Sequence, residues 1–171
     1  MKGRRVALHL LVSALCFPFF GCVRYHLVRR GSIPFSSIHV AAVQNFSDAN
    51  RIQGILWEEI CREISRCPSL RLESAAAAGA ILEVHVRSLS QDPAISSPED
   101  PARATTYRVT LEALCSLRHG CGDEVYFSAK PVSSSVDISV GPHYIDARSR
   151  AMPLLARNLS RKIRDLLMEP W

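Results

Sequence analysis

Apolar residues along this chain recur with two different periods, and the switches between them lay out the elements. Ile38–Val43 (IHVAAV) is a short apolar run bounded by turn residues, which predicts a buried strand. Ile52, Leu56, Ile60 and Ile64 then recur at a spacing of four, with Ile55 beside them and Glu58, Glu59, Arg62 and Glu63 on the other positions. That is an amphipathic helix, stopped by Pro68. Asn45-Phe46-Ser47-Asp48 ahead of it supplies helix-capping side chains. Leu70-Arg71-Leu72-Glu73 alternates over a short strand, and a run of alanines leads into Ile81–Leu89. There Leu82, Val84 and Val86 point one way while Glu83, His85 and Arg87 point the other, so His85 reads as a solvent-side residue.

Ser90–Ala104 carries Pro93, Pro98 and Pro101 among acids and serines and predicts a loop. Thr105–Arg118 is the longest strand signal, with Tyr107, Val109, Leu111, Ala113, Cys115 and Leu117 on one face. His119-Gly120-Cys121-Gly122-Asp123 reverses the chain. Glu124–Ala129 returns as far as Val132, and Lys130-Pro131 places this strand near an edge or a bulge. From about Asp146 the helical period returns through Met152, Leu155, Leu159, Ile163, Leu166 and Leu167, with Arg157, Arg161, Lys162 and Arg164 opposite. Pro153 either kinks this helix or marks a late start after Ser149. The order β-α-β-β-β-β-α predicts an α+β fold: a single mostly antiparallel sheet of four to five strands with two helices packed on one face. The other face stays bare, as suits a docking surface.

The amino-terminal residues follow neither period. Lys2, Arg4 and Arg5 precede a 15-residue apolar run, Val6–Phe20, and then Gly21-Cys22. This is the layout of a secretory signal, and a cysteine after a small residue marks a bacterial lipoprotein, lipidated on the thiol of Cys22. An uncleaved anchor and ordinary secretion are the alternatives. Crossing a bilayer takes about 20 apolar residues, and Pro18 interrupts this run. The division expected is residues 1–21 as signal peptide, 22–37 as lipidated terminus and extended linker, and 38–171 as one domain. Each methylene of an attached acyl chain contributes about 0.8 kcal/mol to membrane retention.

Charge changes the picture little. The 171 residues carry 21 basic and 16 acidic side chains, a net of +5. Three of the basic residues lie in the signal, so the remainder has 18 against 16, a net of +2. That gives no electrostatic case for nucleic acid. Past Cys22 the cysteines are Cys61, Cys67, Cys115 and Cys121. Cys61 and Cys67 lie roughly 9 Å apart along a helix, too far for a bridge. A turn centred near Gly120–Cys121 places Cys115 opposite about Tyr126, so a long-range pair or free thiols are expected. No spacing suits zinc, and no cofactor is implied. His85, His119 and His143 with Asp123, Asp137 and Asp146 belong to no hydrolase, metalloprotease or phosphate-loop motif. An enzyme is not expected.

Cys22-Val23-Arg24-Tyr25-His26-Leu27 resembles the mature start of the lipopolysaccharide-assembly lipoprotein family LptE. Ile38–Val43 with Asn45, the helix, Leu70-Arg71-Leu72, Ala78–Val86, Thr106-Tyr107-Arg108-Val109-Thr110, the glycine hairpin, Tyr126-Phe127 and Leu154–Leu167 follow in the family's order. Val23-Arg24 in place of one glycine, Pro153 and the extra cysteines depart from it. The resemblance implies a non-enzymatic outer-membrane lipoprotein, anchored by lipid on the periplasmic side or inside the barrel lumen. It would plug and help assemble the β-barrel LptD and bind lipopolysaccharide. Arg87, Arg108, Arg118 and Lys130 are the candidate contacts to its phosphates. Ile38–Val43 followed by Asn45-Phe46-Ser47 and a helix is also similar to the start of CsgG- and LpoB-type lipoproteins, which build secretion pores or activate cell-wall synthases.

Overall fold

A computed structural model describes residues 33–96, 104–139 and 144–169. Cys22, the signal segment and Tyr25-His26-Leu27 lie outside the described residues. Chain order runs β1 (Ser37–Val40), β2 (Gln44–Asn45), α1 (Ile52–Ser65), β3 (Arg71–Leu72), β4 (Ala80–Ser96), β5 (Ala104–His119), β6 (Val125–Ser139) and α2 (Tyr144–Met168). The sheet order is β3-β1-β4-β5-β6, with β2 also beside β4. The α+β architecture stands as expected, with a mixed sheet. β4, β5 and β6 form long antiparallel ladders, while β1, β2 and β3 add short parallel ones. The parallel part follows from the connections, since α1 lies between β1 and the strands that flank it.

The apolar periods sort as the sequence requires. Ile52, Leu56, Ile60 and Ile64 of α1 and Leu155, Leu159, Ile163 and Leu167 of α2 are fully buried. They meet Leu82, Val84 and Val86 of β4 and Val109, Leu111, Ala113, Cys115 and Leu117 of β5 in one cluster. Both helices therefore cover the same sheet face.

Several local expectations are corrected. The loop expected over 90–104 is largely strand: β4 runs on to Ser96, and Pro93 sits in register with Tyr107. Beyond Val86, β4 has no second neighbour among the described residues. A proline there forfeits no ladder bond. β6 likewise passes Val132 and continues to Ser139. It is the outer strand, and the Lys130-Pro131 neighbourhood is bulged, as its sequence implied. The bulge moves Cys115 from the expected partner, Tyr126, to Lys130. Ala129 absorbs it at φ 50, where its amide donates to Ser116 Oγ over 2.9 Å.

Asn45 and Ser47 do not cap α1. Asn45 Oδ1 accepts from the Ser47 amide (3.0 Å) and hydroxyl (2.7 Å), while Asn45 Nδ2 donates to the Ala49 carbonyl (2.9 Å). Their side chains bind the β2–α1 turn instead, because Arg51, in the left-handed region at φ 63, occupies the N-cap without a side-chain bond. A late start after Ser149 is also excluded, since Pro153 lies inside a helix that begins at Tyr144. The proline ring removes the bond to the Ser149 carbonyl without ending the helix. Gly120 holds a closer constraint: its amide donates to the Gly79 carbonyl over 2.8 Å. A Cβ there would lie 1.7 Å from the Ala78 carbonyl oxygen.

Candidate functional site

The sheet face turned away from the helices is the candidate site. β-strand alternation puts every second residue of β4, β5 and β6 on it, and the registers align these into rows. Asp92, Arg108 and Asp137 form one row; Ser90, Thr110 and Ser135 the next; Ser88, Glu112 and Ser133 a third; His85, Leu114 and Pro131 a fourth. The irregularity between Val86 and Ser88 places Arg87 at a bulge, and such sites re-aim a side chain.

Most polar groups here are already engaged with one another. Arg108 grips Asp137 bidentately, Nε to Oδ1 at 2.8 Å and a terminal nitrogen to Oδ2 at 2.9 Å. That bond lowers the Asp137 carboxyl below its ordinary range and raises the Arg108 guanidinium. Thr110 and Ser135 hydroxyls meet at 3.0 Å, and Ser88 Oγ donates to Glu112 Oε2 at 3.1 Å. Arg118 Nε donates to Glu83 Oε1 at 3.1 Å.

The four cationic candidates thus separate. Arg87, Arg108 and Arg118 are exposed, but the last two are committed to carboxylates. Lys130 is half-buried, and its ammonium lies 5.0 Å from the Phe127 ring centroid. The bulge sets Lys130 in register with Cys115, a residue of the covered face. Arg87 has no ion-pair partner among the described residues. It lines an open pocket of about 260 Å³ with Glu112, Leu114, Pro131 and Ser133. Beside this face, Phe46 is 70% exposed and packs edge-on against His85, ring centroids 5.9 Å apart.

The fold is shared with several bacterial proteins of solved structure, one of them called a lipoprotein. A protein of Xanthomonas campestris from a domain family of unknown function superposes with a TM-score of 0.59 at 12% identity, over 81% of this chain and 89% of its own. A hypothetical protein of Chlamydia trachomatis gives 0.55 at 11% identity, over 78% of this chain and 96% of its own. Lipoprotein B of Nitrosomonas europaea gives 0.53 at 12% identity, over 80% and 82%. At such identities the likeness concerns the fold alone. No family model and no curated protein matches this sequence.

The cysteines stay apart. Cys61, Cys67, Cys115 and Cys121 are all free, so the long-range bridge is not formed. Burial pushes the Cys115 thiol up to about 12. No group of three or more His, Cys, Asp or Glu converges among the described residues, and no described helix is long and apolar enough to cross a membrane.

Sequence periodicity missed one cluster. Glu59 and Glu63 each stand seven residues after a stripe residue, Ile52 and Leu56, so they share the buried face of α1 and are only 7% and 2% exposed. Glu63 is held by Arg66 and by Arg164 of α2, both at 2.9 Å. Glu59 pairs with Arg62. The visible signal was the pairing of each glutamate with an arginine three residues on, together with the closely spaced arginines of α2.

Proposed function

We propose that this chain is an outer-membrane lipoprotein, lipidated at Cys22, that acts without catalysis as a plug and assembly partner of the LptD β-barrel. Its uncovered sheet face would lie against the barrel wall, on the periplasmic side or within the lumen. The observation that carries this reading is the character of that face: three long strands presenting hydroxyls and mutually compensated charges. The interior of a membrane barrel is polar, and the ion pairs Arg108–Asp137 and Arg118–Glu83 leave few charges of this face to be stranded there. The Nitrosomonas lipoprotein that shares the fold supports the envelope location, and the Gly21-Cys22 junction supports the anchor.

Lipopolysaccharide contact is assigned chiefly to Arg87, the cation left uncommitted beside a pocket. Arg108 and Arg118 would first have to release Asp137 and Glu83.

Co-purification from outer membranes tests the reading. LptD should accompany the chain, and intact mass should show a diacylglyceryl-modified Cys22 that is lost in Cys22→Ser. Arg87→Glu should weaken lipopolysaccharide binding, more so at low salt, because the contact is electrostatic. A cell-wall synthase or a homo-oligomeric ring in place of the barrel would overturn the assignment. So would a mature chain with an unmodified amino end.

A further inference from the structure

The sheet face carries at least as many acids as bases, Glu83, Asp92, Glu112 and Asp137 against Arg87, Arg108 and Arg118; the surplus of positive charge lies where the two helices meet. Arg150, Leu154, Arg157, Arg161 and Arg164 follow one another at intervals of three and four, on the side of α2 opposite its buried line. Arg62 and Arg66 of α1 adjoin them. These six arginines stand against Glu58, Glu59, Glu63 and Asp165, and two of those four carboxylates are buried. The bases remain open: the side chains of Arg157 and Arg161 are each 52% exposed and that of Arg66 is 62%. Buried acids with exposed bases give a surface whose outward field is positive although its pairs look balanced.

The geometry also fixes the arginines in place. Glu63 Oε1 lies 2.9 Å from Arg66 and 3.9 Å from Arg161, while Glu63 Oε2 takes Arg164 at 2.9 Å. Glu59 Oε2 is buried without a hydrogen bond, 3.9 Å from Arg157 Nε. A guanidinium has five N–H donors, so each inward contact leaves others directed outward. Leu154, 45% exposed, adds an apolar side chain to the same line. Forked donors held at their roots, with a leucine among them, fit a surface of lipid phosphates.

We propose that this helix seam docks on an anionic phospholipid surface. The inference rests on the envelope-lipoprotein reading in its periplasmic-side form, since a domain inside the barrel lumen would meet no lipid surface, and it adds a posture. The tethered domain would lie helix side down on its membrane, which holds the uncovered sheet clear of the bilayer and free to meet its protein partner.

Vesicle co-flotation tests this with the full chain made in a cell-free system, where Cys22 stays unacylated. One set of vesicles is phosphatidylcholine; the other is two parts phosphatidylcholine to one part phosphatidylglycerol. The chain should prefer the anionic set, and the preference should fade with rising salt. Arg157→Gln with Arg161→Gln should weaken that preference about fivefold per arginine. Because those residues hold buried acids, a second variant avoids them: Arg150→Gln with Leu154→Gln should weaken it by a similar factor. Arg71→Gln, on β3, should behave as the unaltered chain. Equal binding to both vesicle sets would overturn the proposal. So would an undiminished preference in the Arg150/Leu154 variant while it keeps native circular dichroism, or binding only when lipopolysaccharide is added. An unacylated Cys22 in cells would instead count against the lipoprotein reading and leave the vesicle result standing.

Discussion

Strand β5 shows two surfaces of the same molecule back to back. Val109, Leu111, Ala113, Cys115 and Leu117 are almost wholly excluded from water, while Arg108, Glu112 and Arg118, one residue away in each case, are exposed. The covered side is held by packing against two helices, so each side chain depends on many neighbours. The open side is held by pairs, an arginine with an aspartate or a hydroxyl with a hydroxyl, and each row stands almost independently. Specificity on such a surface comes from the few groups left over, which makes Arg87 more informative than Arg108, already paired with Asp137.

The sharpest way to break this contrast is a pair of substitutions on adjacent residues. Leu111→Ala should cost about 2–5 kcal/mol, whereas Thr110→Ala should stay within about 0.5 kcal/mol, both read from denaturant midpoints. Comparable losses would mean that the open face is not open in solution. Next in size is Glu63→Gln, which removes a buried carboxylate from beneath Arg66, Arg161 and Arg164. It should cost roughly 1–3 kcal/mol, limited by how readily half-exposed arginines recover water. A stability equal to the parent chain would show that the inter-helix ions contribute nothing net.

Ala129→Gly should go the other way. Its φ of 50 lies in the left-handed region, where a side chain costs roughly 1 kcal/mol, so a small rise in melting temperature is expected. The smallest effect concerns Asp137. Its carboxyl is depressed by Arg108, so the pair's contribution is present above the ordinary carboxylate range and lost as pH falls through the lowered folded value. Melting curves of the parent and Asp137→Asn should therefore differ slightly at neutral pH and converge in acid. A gap that widens in acid would contradict the pairing.

Burial followed period wherever a strand or helix had one face to hide, and so the core of α1, β4, β5 and α2 was legible from spacing alone. What was not legible depended on neighbours distant in sequence. Pro93 reads as a loop until β4 is seen to lack a second partner there, and Asn45 reads as a cap until its side chain is seen closing its own turn. Glu59 and Glu63 share the buried face of α1 by spacing, but the arginines that let charge sit there, Arg157, Arg161 and Arg164, lie about a hundred residues further on. At the candidate face the sequence found the cations but not their loyalties, since Arg108 and Arg118 are separated from Asp137 and Glu83 by strand turns that only register resolves.

Gly120 ties the tip of the β5–β6 hairpin to the connection before β4, with no room for even a methyl group. That clasp makes the hairpin tip a poor site for a reporter tag or an inserted epitope, however exposed Cys121 beside it looks. Lineages carrying this fold with the same clasp would be expected to vary their length elsewhere and keep this corner short.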